Sequence, residues 1–203
     1  MSFDEQAKSW DTDKRIKRAK VIADEIVKSI DIDENYSAME FGCGTGLVSF
    51  NLYDKFKHIT LIDSSKGMIE ILKDKINNHK IQNMTAKHLY LENEKVIDER
   101  YDVIYNSMVL HHIKDTKKIV EIFYGLLNDN GYLVIVDLDE EDGTFHKNES
   151  GFDGHNGFNQ HQMKDIFGDV GFTDVEINTF FHGEKEIDGE IIKYSLFLAK
   201  GKK

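Results

Sequence analysis

The chain has few of the residues that mark secreted or membrane proteins. Its 203 residues include no proline and a single cysteine, Cys43, which excludes an intramolecular disulfide framework and a zinc site built from several cysteines. No apolar run approaches the ~20 residues that span a bilayer. The amino terminus also lacks the basic region and apolar core of a secretion signal. We therefore expect a cytoplasmic protein that has no membrane partner.

Basic residues are in the minority as well. Lysine and arginine together number 26, against 37 aspartates and glutamates, and the formal net charge is -11 at pH 7. Nonspecific binding of nucleic acid depends on a basic surface that neutralises phosphates, so this balance favours a small-molecule substrate and no nucleic-acid partner. The length and the hydrophobic content of 40% fit one globular domain. No feature indicates an oligomeric state.

Glycine is concentrated in one short segment, where Gly42, Gly44 and Gly46 follow an apolar run that contains the acid Glu40. Such a run, followed by glycines and then by 47–52, predicts a buried strand, a tight turn and the start of a helix. Glycine permits positive φ and the close approach of a ligand, and a helix start offers unpaired N–H groups. The alternative is a tight strand-to-helix turn without a ligand. Cys43, between two glycines, is interpreted as a small residue that fits, because no basic partner adjoins it to make a nucleophile.

A second strand, predicted at 58–63, also ends in an acid. Asp63 lies 21 residues after Gly42, the separation at which the acid of a nucleotide-binding β-α-β unit accepts hydrogen bonds from both ribose hydroxyls. Ser64 and Ser65 then supply a helix N-cap. Met68 lies one turn inside that helix, where it contacts either an adenine face or the core.

Strands and helices alternate along the rest of the chain, which predicts an α/β fold with a mostly parallel sheet covered by helices on both sides. The predicted strands are 84–91 with its exit loop, 101–108 running into a loop, and 132–138. The predicted helices lie within 3–30 and at 116–127 and 160–168, and a turn is expected at 128–131. A hairpin joins 174–181 to 191–199 through 186–189. Val96 and Ile97 are placed in a polar connection.

Two segments look suited to cover a ligand. Residues 139–158 combine acids, glycines, aromatic residues and histidines, which is typical of a functional loop over the carboxyl edge of a sheet. Phe3 and Trp10, near the amino terminus, are candidates for an aromatic lid, and the alternative is that they anchor this end of the chain to the core.

Taken together, these residues resemble the class I S-adenosylmethionine-dependent methyltransferases, in particular small-molecule members of the ubiquinone and menaquinone methyltransferase type. The likeness covers about residues 36–138. Residues 40–46 resemble the family's first motif, Asp63 its ribose-binding acid, and 101–112 its fourth motif with the following loop. The resemblance implies a Rossmann-like, doubly wound, seven-stranded sheet with an antiparallel C-terminal hairpin, in three αβα layers.

The same resemblance implies the organisation and the activity. We expect an N-terminal helical cap at 1–35, a cofactor-binding core at 36–138, a substrate loop at 139–158, and a helix with the hairpin at 159–203. The cofactor would be S-adenosylmethionine, the product S-adenosylhomocysteine, and the partner a small methyl acceptor. The residues implied to bind the cofactor are Glu40, Phe41, Gly42, Cys43, Gly44, Asp63, Ser64, Met68, His88, Leu89, Asn106, Ser107 and Met108. The chain lacks the family's usual aspartate after the third strand, so His88 or a backbone carbonyl would accept the adenine amino group.

Two other functions were weighed against this one. A dinucleotide-dependent oxidoreductase also has a glycine turn and a ribose acid, but its fingerprint needs G-x-G-x-x-G. Here Leu47 occupies the last glycine position, and Glu40 precedes the turn, where a pyrophosphate would disfavour a carboxylate. An acid-lined mouth suits a sulfonium better. The third possibility is a protein that binds S-adenosylmethionine without catalysis.

Alignment of nucleophile, methyl and sulfur is most of what a protein contributes to methyl transfer. For an oxygen nucleophile that must lose a proton, histidine is a suitable base. The histidines expected near the carboxyl edge are His111, His112, His146, His155 and His161, and His112 and His155 are the predicted catalytic residues. A divalent metal held by Asp137, Asp139, His146 and His155 was weighed, but no compact ligand spacing supports it, so no metal site is predicted.

Overall fold

The computed structural model describes residues 3–91, 98–149 and 151–203, in which seven strands form one sheet of order β3-β2-β1-β4-β5-β7-β6. The connection predicted around Val96 and Ile97 lies outside the described residues. The strands are β1 Ser37–Phe41, β2 His58–Asp63, β3 Met84–His88, β4 Tyr101–Ser107, β5 Leu127–Leu138, β6 Thr173–Ile187 and β7 Glu190–Lys202. The pairs from β3 through β5 are parallel, and β7 runs antiparallel to both of its neighbours.

Helices cover both faces of this sheet. They are α1 Phe3–Gln6, α2 Asp13–Ser29, α3 Lys66–Asn78, α4 Thr116–Leu126 and α5 Gln160–Val170. The apolar faces of α2 and α3 pack in one core cluster with Val103 and Tyr105 of β4, while α4 and α5 pack in the other with Ile104 of the same strand. Successive strand residues point to opposite faces, so β4 serves both cores. The predicted doubly wound α/β fold with three layers is confirmed.

Side chains at the helix starts explain where four of the helices begin. Thr12, Ser65, Asp115 and Asn159 each accept a hydrogen bond from an N–H group in the first turn of the helix that follows. The predicted cap at Ser65 is therefore confirmed. None of the helices in the described ranges combines the length and the apolar character that crossing a bilayer requires.

The prediction of a helix directly after the glycine turn is wrong. Residues Ser49–Asn51 and Tyr53–Lys55 form two short 3-10 turns instead. The backbone leaves the helical region at Leu52, where φ is -123°, and the chain must enter β2 at His58. The two turns therefore do not continue into one regular helix.

Other boundaries also differ from the prediction. The turn expected at 128–131 belongs to the first part of β5, where Asn130 has a φ of 65° and the pairing with β4 shifts register. The third strand stops at His88, within the segment predicted as a strand with its exit loop. The hairpin strands β6 and β7 are longer than predicted, and a two-residue turn at Asp188 and Gly189 joins them with positive φ at both positions.

Candidate active site

The order of the strands reverses between β1 and β4, and the glycine turn lies at the carboxyl end of β1. In open α/β sheets, ligands bind in the crevice at such a switch point. Gly42, Gly44 and Gly46 have φ values of 65°, 53° and 80°. A Cβ atom on Gly42 would lie 2.4 Å from Val109, so this glycine permits close packing, whereas the space at Gly44 is open up to the indole nitrogen of Trp10 at 3.7 Å.

Asp63 lies beside the glycine turn, as predicted. One carboxylate oxygen accepts a hydrogen bond from the N–H group of Gly44 at 2.7 Å, and the other accepts one from Ser65 at 2.7 Å. Burial raises the pKa of Asp63, and the two amide donors oppose that shift. Asp63 thus ties the turn to the start of α3, and each oxygen keeps a lone pair for a further donor.

Glu40 is almost fully buried one strand away. Ser49 Oγ donates a hydrogen bond to its carboxyl group and lies 2.6 Å from Tyr105 Oη. Burial raises the pKa of Glu40 to about 8, with a smaller contribution from the charge of Asp63. Glu40 is therefore mainly protonated at pH 7, so the attraction of this turn for a cation rests on Asp63.

The remaining residues predicted at this side fall into a buried and an accessible group. Phe41, Cys43 and Met68 are buried, and burial raises the pKa of the Cys43 thiol well above its usual value, which agrees with its interpretation as a small filler. Ser64 and His88 are exposed, and His88 Nε2 donates to the carbonyl of Ser64 at 3.0 Å. This bond leaves Nδ1 as the available acceptor of His88. Leu89 is half-buried, and its N–H group donates to the carbonyl of Asp63 at 3.0 Å.

At the end of β4, Asn106 is fully buried, yet among the described residues neither its amide nitrogen nor its amide oxygen has a hydrogen-bond partner. A buried amide without partners is costly and points to a ligand that satisfies it. Ser107 is half-buried. Met108, which follows it, has a φ of 58°, and such strained backbone clusters at functional sites.

Residues 3–12 lie across the glycine turn. Asp11 accepts a hydrogen bond from Thr45 Oγ1 at 2.5 Å and pairs with Lys75 at 2.8 Å. Asp4 accepts from the hydroxyl group of Ser65 at 2.6 Å and from the N–H group of Gly67 at 2.7 Å. Phe3 packs edge-on against Trp10 and against His112. The aromatic pair therefore lies beside the glycine turn and His112, and its role as a lid stays a prediction.

A second group of polar side chains follows β4 and β5. His111 Nδ1 donates to Asp137 at 2.5 Å, and both residues are buried. Burial alone would raise the pKa of Asp137, but contact with His111 holds it below the ordinary value. His112 and His146 lie against His111, with ring centroids 4.2 Å and 4.8 Å away. Burial lowers the pKa of His112 to about 4 and that of His146 to about 3, so both are neutral imidazoles at pH 7.

The second predicted base, His155, lies in a different environment. Its Nε2 is 3.0 Å from the carbonyl of Ile113, to which it donates, and 3.3 Å from Thr116 Oγ1. Its backbone N–H group donates to His111 at 2.8 Å. These bonds favour a structural role at the start of α4. The ring also lines an open groove of about 450 Å³ between α4 and α5.

Some of these features could not be singled out from the sequence. His111 and His146 were among the histidines expected at the carboxyl edge, but nothing in their spacing showed that they meet. The pairing of Asp137 with His111 had one available signal, an acid near the end of the fifth predicted strand. No signal in the sequence pointed to the contacts of Asp4 and Asp11, because acids are common near the amino terminus of many chains.

Comparison with known proteins assigns the family. Residues 14–177 match the family described as a methyltransferase domain. An uncharacterized methyltransferase of Schizosaccharomyces pombe is 29% identical over 155 residues, covering 70% of this chain and 55% of that protein. A malonyl-[acyl-carrier protein] O-methyltransferase of Bacillus anthracis is 30% identical over 131 residues, covering 60% and 46%. The chain spans about half the length of the curated relatives that it matches.

Solved structures share the fold. A phosphoethanolamine N-methyltransferase of Haemonchus contortus, in complex with S-adenosyl-L-methionine, superposes on all of this chain and 60% of that one with a TM-score of 0.75 at 14% identity. A methyltransferase from Aquifex aeolicus covers 98% and 97% with a TM-score of 0.68 at 17% identity. The predicted class I methyltransferase family and fold are confirmed, and the chain belongs to the methyltransferase-domain family.

Proposed function

We propose that this protein transfers a methyl group from S-adenosylmethionine to a small acceptor in the crevice between β1 and β4. The cofactor supplies an electrophilic methyl group on a sulfonium. The observation that carries the proposal is the juxtaposition, at one switch point, of a positive-φ glycine turn, the carboxylate of Asp63 and the unpartnered amide of Asn106. No observation favours a nicotinamide cofactor.

The residues at this edge fit such a cofactor. Asp63, with a lone pair left on each oxygen, would accept hydrogen bonds from the ribose hydroxyls. The side-chain amide of Asn106 would form its missing hydrogen bonds with the polar amino-acid end of the cofactor. Asp63 would supply the negative potential for an ammonium and a sulfonium, while Glu40, with a pKa of about 8, is mainly protonated at pH 7. The lid segment 3–12 would exclude water from the crevice, which strengthens each of these interactions.

The acceptor would approach from the side of residues 139–158, which we propose as the substrate loop. The relatives named as malonyl-[acyl-carrier protein] and ubiquinone biosynthesis O-methyltransferases favour an oxygen nucleophile. His112, half-buried and facing Phe3 of the lid, is the better placed of the two predicted bases. Its imidazole is neutral at pH 7 and has a lone pair, but a pKa of about 4 makes it a weaker base than a free imidazole. A single domain and a cytoplasmic location remain part of the proposal.

Calorimetric titration with S-adenosylmethionine, S-adenosylhomocysteine and NADH tests the cofactor. We expect the first two to bind, and Asp63→Ala to weaken both by at least tenfold, because two hydrogen bonds to a charged acceptor are lost. Asp54→Ala is the matched control, since Asp54 is exposed and pairs with Lys55. Binding of NADH alone, or equal affinities in wild type and Asp63→Ala, contradicts the assignment.

A second measurement separates an enzyme from a binding protein. The chain is incubated with a metabolite extract and cofactor carrying a labelled methyl group. Protein-dependent transfer of the label to small molecules supports catalysis. Tight cofactor binding without any transfer across a broad extract would support the non-catalytic alternative.

A further inference from the structure

Three histidines from two separate segments of the chain meet at one point. His111 and His112 belong to the 3-10 turn Leu110–His112 after β4, and His146 belongs to the loop after β5. Each offers one ring nitrogen, and these three atoms all lie within 4.8 Å of one another. Tetrahedral zinc with imidazole ligands requires separations of about 3.3 Å, so rotations of the rings would bring the donors to bonding distance.

The surroundings of His111 match the outer shell of a metal site. Its Nδ1 donates to the carboxylate of Asp137, which also accepts the N–H groups of His111 at 3.3 Å and Leu138 at 2.7 Å. Metal-binding histidines commonly donate their second ring nitrogen to a carboxylate, which fixes the tautomer and the ring orientation. The bond to Asp137 leaves Nε2 of His111 as the free electron-pair donor, and the buried carboxylate supplies negative charge.

His146 provides a second, independent observation. It is 5% exposed, and its Nδ1 is buried without a hydrogen-bond partner among the described residues. Its ring stacks on Phe152 with centroids 3.9 Å apart and planes 7° from parallel, which holds it in place. A buried, unpartnered imidazole nitrogen next to two other imidazoles lacks a structural explanation, whereas a bound cation would satisfy it.

We propose that His111, His112 and His146 bind one divalent transition-metal ion, with zinc as the first candidate, and that Asp137 supports them from the outer shell. Three imidazole ligands suit zinc and its neighbours in the first transition row and do not suit magnesium or calcium, which prefer oxygen. Three protein ligands also leave a fourth position open in a tetrahedral site.

The open position suggests what the ion would do, and this step rests on the proposed function. The cluster is built from the turn after β4 and the loop at 139–158, the two segments proposed to contact the acceptor. An acceptor whose carboxylate, enol or hydroxyl oxygen bound the ion would be oriented toward the methyl group. The ion would lower the pKa of an enol or hydroxyl group, whose proton would pass to solvent before the oxygen bonds to the methyl carbon and the carbon–sulfur bond breaks. His112 would then be a ligand and not the base.

Metal binding is tested without methyl transfer. The chain is prepared with a tag that contains no histidine and is stripped with a chelator, then titrated with Co²⁺ while the visible absorption is recorded, and with Zn²⁺ by calorimetry. We expect one equivalent to bind with the intense absorption of tetrahedral Co²⁺. His146→Gln and His112→Gln should each weaken binding by at least tenfold, with circular dichroism and melting temperature reported for every variant.

His161→Gln is the matched control, because His161 is exposed on α5 outside the cluster, and it should bind Co²⁺ as the wild type does. Absence of saturable binding in the wild type, or equal affinity in wild type and both cluster variants, overturns the metal site. If either cluster variant unfolds, the wild-type stoichiometry and spectrum decide alone. If the chain binds Co²⁺ but not S-adenosylmethionine, the proposed metal site stands and the proposed function is overturned.

Acetohydroxamate, which binds metals through oxygen, tests the open position. We expect it to change the Co²⁺ spectrum of the wild type. An unchanged spectrum at saturating acetohydroxamate would show that no coordination position is free, and it would overturn the acceptor step.

Discussion

The glycine turn and the histidine cluster lie at the same edge of the sheet, yet they are stabilised by different chemistry. At the turn, carboxylates accept hydrogen bonds from backbone and side-chain donors, as Asp63 does from Gly44 and Ser65. In the cluster, three imidazoles pack on one another and on Phe152 around one buried carboxylate. The first side therefore suits a ligand with hydroxyl groups and positive charge. The second suits a ligand that accepts electron pairs.

The largest expected effect lies on the histidine side. Asp137→Ala removes the only carboxylate that Nδ1 of His111 contacts in the described ranges and should lower the free energy of unfolding by about 3–5 kcal/mol. Asp139→Ala serves as the control, because Asp139 is half-buried and accepts hydrogen bonds from Gln160 and Thr179. Urea unfolding measures both variants. Equal losses of unfolding free energy in the two variants would show that the buried pair of His111 and Asp137 contributes no more to stability than Asp139 does.

On the glycine side, the expected loss depends on which glycine is changed. Gly42→Ala combines a left-handed backbone with a collision at Val109 and should cost about 2–4 kcal/mol of stability. Gly44→Ala has the same backbone strain without the collision and should cost about 1–2 kcal/mol. Thermal unfolding of the two variants compares them directly. A greater loss for Gly44→Ala would contradict the packing described for Val109.

The buried acid at the turn should make stability depend on pH. The pKa of Glu40 is about 8 in the folded chain and about 4.3 when unfolded, so the folded state holds a proton that the unfolded state has released. Stability should therefore fall as pH rises from about 4.3 to about 8, by roughly 1 kcal/mol per pH unit. Glu40→Gln should flatten that dependence. The exposed Glu34→Gln variant should leave it intact, and a slope unchanged in Glu40→Gln would refute the assignment.

The smallest expected effect concerns the lid. Asp4 is exposed and holds the start of α3 through Ser65 and Gly67. Asp4→Ala should speed hydrogen exchange at the Gly67 amide and leave the global melting temperature nearly unchanged. Amide exchange followed by NMR measures this, and Asp13→Ala, which alters an acid in the first turn of α2, is the comparison. Equal exchange in both variants would mean that the lid does not rest on α3.

Much of the fold followed from local patterns. The second strand was predicted at its observed bounds, because His58–Asp63 is a short apolar run between turn signals. The cap at Ser65 and the position of Asp63 followed from residue type and spacing. The prediction of a helix after the glycine turn was wrong, because the pattern at 47–52 carries no information on how soon the next strand begins.

The histidine cluster could not be predicted for a different reason. His146 is 35 residues from His111 in the sequence, and Asp137 reaches His111 only because β4 and β5 pair side by side. Metal ligands are recognisable in a sequence when they share one helix or one turn, and here only His111 and His112 do, without the third ligand. The lack of hydrogen-bond partners at the Asn106 amide is likewise a property of packing, since an asparagine at the end of a predicted strand gives no sign of it in the sequence.

The contacts of residues 3–12 have a consequence for the proposed turnover. Asp11 holds the glycine turn through Thr45 and also pairs with Lys75, so opening this segment over a bound cofactor would break these bonds. Release of product and admission of fresh cofactor would then share one opening event at residues 3–12. A bulky fusion at that end would hinder each cycle while leaving the chemistry itself untouched.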